Sequence, residues 1–122
     1  MKILVCGGRN YWNREELYRV LDAIHKAGPV THAIHGGATG ADSLVGQWCA
    51  SLGVECTAYP ADWKEYGKAA GPIRNQQMLN QGCPDVVIAF RGGAGTADMV
   101  RKAQKAGIKV VDVVKEKPGE PG

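Results

Sequence analysis

The sequence predicts an α/β fold, and three observations carry the prediction. Five short apolar runs alternate with segments of helical periodicity. The runs are apolar at successive positions, the pattern of strands covered on both faces and hence of a parallel sheet. Glycines stand where each helical segment should stop. Together these describe a Rossmann-like three-layer sandwich, with a mostly parallel five-stranded sheet between helices. The 122 residues allow one such domain, expected over residues 1–114; residues 115–122, with two prolines and two glycines, read as a disordered tail.

The first strand is expected at Ile3–Cys6 and ends in Gly7-Gly8-Arg9. Leu17, Val20, Leu21 and Ile24 then form an i, i+3, i+4, i+7 stripe, and Gly28 closes that helix. The second strand, Val30–Ile34, leads through glycines into a helix with Ala41, Leu44, Val45, Trp48 and Leu52 on its inner face, stopped by Gly53. Val54–Tyr59 is the third strand, followed by a long connection from Pro60 to Gly71 that carries Trp63, Lys64, Tyr66 and Lys68. A connection of that length in a small domain is a functional candidate. The third helix is expected from Pro72, a residue suited to a first turn, with Ile73, Met78 and Leu79, and ends at Gly82. Val86–Phe90 is the fourth strand. A fourth helix follows Gly95 with Val100, Ala103 and Ala106 inward, stops at Gly107, and hands over to a last strand at Ile108–Val114.

Two of the strand-to-helix turns repeat one design, His35-Gly-Gly-Ala-Thr-Gly-Ala-Asp42 and Arg91-Gly-Gly-Ala-Gly-Thr-Ala-Asp98. Paired glycines let a backbone approach a ligand closely, and the unpaired amides that open a helix favour an anion. In the second copy Gly92, Gly93, Gly95 and Thr96 are more than a tight turn needs, so phosphate binding is expected there; Arg91 precedes them. No Gly-Lys-Ser/Thr follows, which excludes a Walker-type NTPase loop. In the first copy Gly36 and Gly37 shape the turn and Thr39 can cap the helix. Asp42 either complements the helix dipole or binds a ribose hydroxyl or base amino group. His35 is expected to be neutral and hydrogen-bonded. Arg9 ends a strand, where it suits a phosphate better than the core. Asn10 turns the chain or contacts ligand, and Tyr11 and Trp12 either stack on a base or cover the core. Arg74 and Asn75 are placed in a first helical turn, where the dipole disfavours a cation unless an anion neutralises it.

Composition limits the remaining classes. A hydrophobic share of 44% and a charged share of 22% are those of a soluble globular chain, and the mild formal charge of +3 suits an anionic ligand but is weak evidence for a nucleic-acid surface. Cys6, Cys49, Cys56 and Cys83 show no metal-ligand spacing, so no metal is expected and all four are expected to be reduced. No apolar run reaches the ~20 residues of a membrane span. The opening Met1-Lys-Ile-Leu-Val-Cys is too short for a signal sequence. The expectation is a cytoplasmic protein without a membrane partner or cofactor.

Val5-Cys-Gly-Gly-Arg9, the segment from His35 to Asp42, Tyr59-Pro-Ala-Asp-Trp63, Ala70-Gly-Pro-Ile-Arg-Asn75 and Val87 to Thr96 together resemble the SLOG superfamily. They look like its small YpsA-related branch, akin to the LOG (lysine decarboxylase-like) and DprA/Smf proteins. The resemblance covers nearly the whole chain. It implies a Rossmann-like domain whose glycine loops bind a nucleotide or nucleotide-derived phosphate ligand, and a homo-oligomer.

LOG enzymes cleave the N-glycosidic bond of nucleoside 5′-monophosphates, with a Pro-Gly-Gly-x-Gly-Thr-x-x-Glu signature and a helical Arg-x-x-x-Met. Arg74 to Met78 reproduces the second element and Gly92 to Thr96 most of the first. Arg91 replaces the proline, however, and Met99 the catalytic glutamate. Asp98, Asp62 or Asp42 would have to supply the missing carboxylate that an oxocarbenium-like transition state needs.

The leading expectation is therefore a sensing or sequestering domain for a nucleotide-derived small molecule. Arg9, Arg74 and Arg91 would clamp phosphate, and Trp63 or Tyr66 would cover the base. A LOG-like phosphoribohydrolase is the alternative. A single-stranded nucleic-acid-binding module of DprA/Smf type is the second alternative, suggested by similarity of the first glycine loop.

Overall fold

The computed structural model describes residues 1–114, so the expected tail at 115–122 lies outside the described residues. Five strands form one sheet in the order β3-β2-β1-β4-β5, and every pairing is parallel. They are β1 (Lys2–Cys6), β2 (His32–His35), β3 (Glu55–Ala58), β4 (Val86–Ala89) and β5 (Lys109–Asp112). The helices are α1 (Arg14–Ala27), α2 (Ala41–Leu52), α3 (Trp63–Tyr66), α4 (Ala70–Gly82) and α5 (Ala94–Lys105).

Alternate residues of the central strands feed two separate cores. Ile3, Val5, Ala33, Ile88 and Phe90 pack with Leu17 and Leu21 of α1 and Val45 and Trp48 of α2 on one face. Leu4, Ile34, Val87 and Ala89 pack with Met78 and Leu79 of α4 and Met99 and Ala103 of α5 on the other. Each such large side chain removed from water contributes ~1.5–3 kcal/mol, which explains why both faces must be apolar. Local chemistry sets several helix ends. Asn13 Oδ1 accepts from the Glu16 amide at 3.1 Å to open α1, and Gly53 closes α2 in the left-handed conformation at φ 69°.

Several boundaries differ from the sequence expectation. The long connection is not a loop: it folds into α3 and a 3₁₀ turn at Gly67–Ala69, so α4 starts at Ala70 rather than Pro72. Arg74 and Asn75 consequently lie in the second turn of α4. Gly82 is the last residue of that helix, and Cys83 takes the left-handed cap at φ 46°. Gly82 serves packing instead, because a Cβ there would overlap the Ile34 side chain. Helix α5 opens one residue before Gly95, at Ala94. Leu52, Ile73 and Ala106 are exposed rather than inward, since each sits near a helix end beyond the reach of the sheet. No helix among the described residues is long and apolar enough to cross a membrane.

Candidate functional site

Strand order reverses between β1 and β4: the chain builds outward from β1 through β2 to β3, then returns to the other side of β1. At such a point the loops leaving the two central strands diverge and leave a crevice at their carboxyl ends. Here the loops still touch. The Gly8 amide donates to the Arg91 carbonyl at 2.9 Å, and a Cβ on Gly92 would lie 2.8 Å from the Gly8 nitrogen and overlap the Thr96 hydroxyl. This contact forms a crest with a cleft on each side of it.

The larger cleft, about 620 Å³, lies on the side of α4 and α5. Its walls bring together most of the residues expected from sequence: Gly7, Gly8 and Arg9 from the first loop, Gly36 and Asp42 from the second, and Arg74 and Asn75 from α4. Gly93, Gly95, Thr96 and Asp98 come from the fourth loop and α5, and Trp63 from α3. The smaller cleft, about 500 Å³, lies on the α1 side and takes in Arg91 and Gly92, sharing Gly8, Arg9 and Gly93 with the first. Gly37, Asp62 and Tyr66 line neither wall. Gly37 makes the turn after β2 at φ 72°, Asp62 caps α3 by accepting from the Glu65 amide at 3.0 Å, and Tyr66 stands about half exposed on that short helix.

The two copies of the glycine design have different chemistry. Helix α2 already carries its own negative charge: Asp42 in its first turn accepts from the Ala38 amide at 3.1 Å, and the Ala41 amide donates to the Gly8 carbonyl at 3.2 Å. Its N-cap is Gly40, at φ 74°, where any side chain would also overlap the Gly8 and Arg9 carbonyls. Thr39 is therefore not the cap; its hydroxyl donates to the Arg9 carbonyl at 3.2 Å. Neither helix has a side-chain cap, at Gly40 or at Gly93, but α5, unlike α2, also has no acidic residue in its first turn. The first amide of that end to find a backbone acceptor is that of Ala97, on Gly93 at 3.1 Å. The amides before it are the orphan donors that every helix start presents, and the cleft edge is where they open.

Arg74 ties the larger cleft together. Its Nη1 donates to the Gly36 carbonyl at 2.7 Å and to the Tyr59 carbonyl at 3.4 Å, and its Nε to Asn75 Oδ1 at 3.0 Å. A side chain on Gly36 would overlap this guanidinium, so that glycine is there to admit Arg74. Burial pulls the Arg74 pKa down and pushes that of Asp42 up, and each charge partly offsets the effect on the other. Burial likewise lowers the pKa of His35, whose Nδ1 accepts from the Gly37 amide at 3.0 Å; the ring is neutral. Arg9 places its guanidinium 5.0 Å from the centroid of the Trp63 ring, a cation–π contact at the cleft mouth.

The buried Asn75 is a brace rather than an open contact. Its amide nitrogen donates to the Gly95 carbonyl at 3.1 Å and to Asp98 at 3.0 Å, fixing α4 to the start of α5. Asp98 in turn accepts from Lys102 at 2.6 Å and lies 3.6 Å from Arg101. Burial raises its pKa, but the hydrogen bonds from Lys102 and Asn75 and the two cations outweigh that and hold it below the ordinary aspartate range. Met99, at the position of the LOG glutamate, is fully buried in the core between α4, α5 and the sheet. Cys6 borders the cleft, but burial, helped by Asp42 and Asp112, pushes its thiol to about 12, which removes it as a nucleophile.

Two further basic residues line this wall, Lys68 and Arg101, of which only Arg101 escaped the sequence reading altogether. Lys68 was visible only as part of the long connection, and its approach depends on α3 folding back. Arg101 lies one helical turn beyond the glycine motif, where helical periodicity from Asp98 is the signal that points to it.

Comparison with known proteins agrees with this architecture. Residues 1–66 match the model of the YspA, cpYpsA-related SLOG family. The chain is 35% identical over 119 residues to the Gene 61 protein of Mycobacterium phage D29, covering 91% of this chain and 94% of that one. In fold it is similar to the X-ray structure of TM1055, a structural genomics target, with a TM-score of 0.70 at 22% identity, over 89% of this chain and 71% of that one. The chain belongs to the YspA, cpYpsA-related SLOG family and is a nucleotide-related domain of Rossmann-like fold.

Proposed function

We propose that this protein binds a nucleotide or nucleotide-derived phosphate ligand and acts as a sensing or sequestering domain. The observation that carries the reading is the asymmetry of the two glycine turns. The start of α2 has a carboxylate, Asp42, in its first turn and its first amide bonded to the Gly8 carbonyl. The equally uncapped start of α5 has no acidic first-turn residue and opens at the edge of a cleft walled by Arg9, Lys68, Arg74 and Arg101. A phosphate on the α5 amides would complete that helix end, and Trp63 would cover the attached base.

Two of the three candidate carboxylates, Asp62 and Asp98, are committed elsewhere and the third, Asp42, is held by the Ala38 amide beside Arg74, which favours binding over hydrolysis. Asp62 is spent on a cap outside the cleft, Asp98 is ionised and paired with Lys102, and the position of the LOG glutamate lies in the core. The formal charge of +3 is weak evidence for a surface that tracks a nucleic-acid strand.

Titration calorimetry against adenosine and guanosine monophosphates, diphosphates and cyclic nucleotides tests the proposal. Saturable binding of at least one, competed by inorganic phosphate, is expected; heat of dilution alone across the set would refute it. Chromatography of the same mixtures should show no released base. Release of base that Asp98→Asn or Asp62→Asn abolishes would establish the hydrolase instead.

A further inference from the structure

On the sheet face covered by α1 and α2, the turn from α2 into β3 brings two cysteines together. Gly53 closes the helix in the left-handed conformation, and the Val54 amide donates back to the Cys49 carbonyl at 3.0 Å, so the chain reverses within a few residues. Cys56 pairs in register with Ala33 of β2, and paired residues of a parallel sheet project to the same face. Ala33 belongs to the core beneath α1 and α2, so Cys56 points toward α2. Cys49 is buried in that same core.

The two thiols interact. Burial pushes the Cys49 thiol up to about 12, helped by the Cys56 sulfur to which it donates. Burial also raises Cys56, but the hydrogen bond from Cys49 pulls the other way. Cys56 is exposed and Cys49 is not, so the roles divide: an oxidant reaches Cys56 first, and Cys49 stands beside it. The other two cysteines are placed differently. Cys6 lies in the opposite core, across the sheet, and Cys83 caps α4 with its sulfur donating to the Asn80 carbonyl at 3.4 Å.

We infer that Cys49 and Cys56 are the site of a reversible disulfide that pins the edge strand β3 to α2, formed by a hydroperoxide. The Cys56 thiolate attacks the terminal peroxide oxygen, breaking the O–O bond to give a sulfenic acid and an alcohol or water. Cys49 then gives up its proton, attacks the Cys56 sulfur and expels the sulfenic oxygen as water. The two thiols lose two electrons and the peroxide gains them. The bond falls where the sheet is least secured, since β3 pairs only with β2 and its Glu55, Cys56 and Ala58 are exposed. The strand runs on to Tyr59, whose carbonyl accepts from Arg74 at 3.4 Å, so the pin also steadies a partner of the cleft arginine.

The test treats the reduced full chain with hydrogen peroxide, blocks the remaining thiols with N-ethylmaleimide under denaturing conditions, and cleaves after glutamate. Because Glu15, Glu16, Glu55 and Glu65 separate them, each cysteine then lies on its own peptide. The peptides of Cys49 and Cys56 should stay joined until a reductant is added, with Cys6 and Cys83 blocked. The oxidised protein should melt about 5 °C or more above the reduced one, because the bond constrains the unfolded chain. In Cys49→Ala the sulfenic acid at Cys56 lacks its resolving thiol and should be trapped by dimedone; in Cys56→Ser, Cys49 should remain a free thiol. Separate peptides after peroxide treatment of the wild type would overturn the inference, as would Cys56 joined to Cys83 or to a second chain. An oxidised protein that melts with the reduced one would refute the pin.

Discussion

At the scale of single residues, the site is governed by which polar groups the protein has already used. Arg74 and Gly36 act as a pair, because the guanidinium occupies the volume in which a Gly36 side chain would stand. Gly36→Ala should displace Arg74 at a stability cost of about 1 kcal/mol, and weaken nucleotide binding several-fold. Calorimetry beside thermal unfolding measures both, and unchanged affinity would show that the ligand does not use Arg74. Asp98 gives a pH prediction with a definite sign. Its folded pKa is lowered, so its bonds stabilise the fold above the ordinary aspartate pKa of about 4 and are lost as pH falls through the lowered value. Asp98→Asn should therefore cost about 1 kcal/mol at neutral pH and nothing once the wild-type carboxyl is protonated. Denaturant titrations across that acid range would show the two proteins converging. A constant offset would mean that the charge of Asp98 is not what matters.

At the scale of elements, α2 and α5 look interchangeable in sequence and are not so in space. Glycine spacing placed both starts at strand ends, and the strand alternation placed both strands at the centre of the sheet. What spacing did not reveal is where Asp42 and Asn75 spend their hydrogen bonds, since those depend on loops brought together from distant parts of the chain. The helical stripes of α1 and α2 were legible because burial follows their periodicity over several turns. The segment 63–69 was not, since a single-turn helix capped by Asp62 has too few residues to show a period. Position 99 was read as the loss of an acid, and the structure adds why it cannot regain one locally. Met99→Glu should destabilise the protein by roughly 3 kcal/mol or more, because the carboxylate would enter a dry core without a partner. Equilibrium unfolding tests this, and a stable Met99→Glu protein would show that the side chain can reach the cleft.

At the scale of the molecule, the 3-2-1-4-5 strand order turns two ordinary glycine turns into one site. It sets β1 beside β4 and sends helices to opposite faces, so the crest formed by Gly8 and Gly92 has a cleft on each side. The sheet and the family were readable from the sequence as a whole; the division of the site into two clefts was not, because it arises from a contact between loops more than eighty residues apart. The central claim is that an uncapped helix start is kept open for a phosphate. Gly93→Asp addresses it directly, since a Cβ at Gly93 meets nothing within 4 Å and aspartate is a favoured cap. The new carboxylate should satisfy the α5 amides and hold or raise stability by up to about 1 kcal/mol through the helix dipole. Affinity for ADP, measured by calorimetry on the same sample, should fall at least about tenfold, the effect of placing a charge where the phosphate belongs. A Gly93→Asp protein that is equally stable and binds ADP as the wild type does would contradict the account.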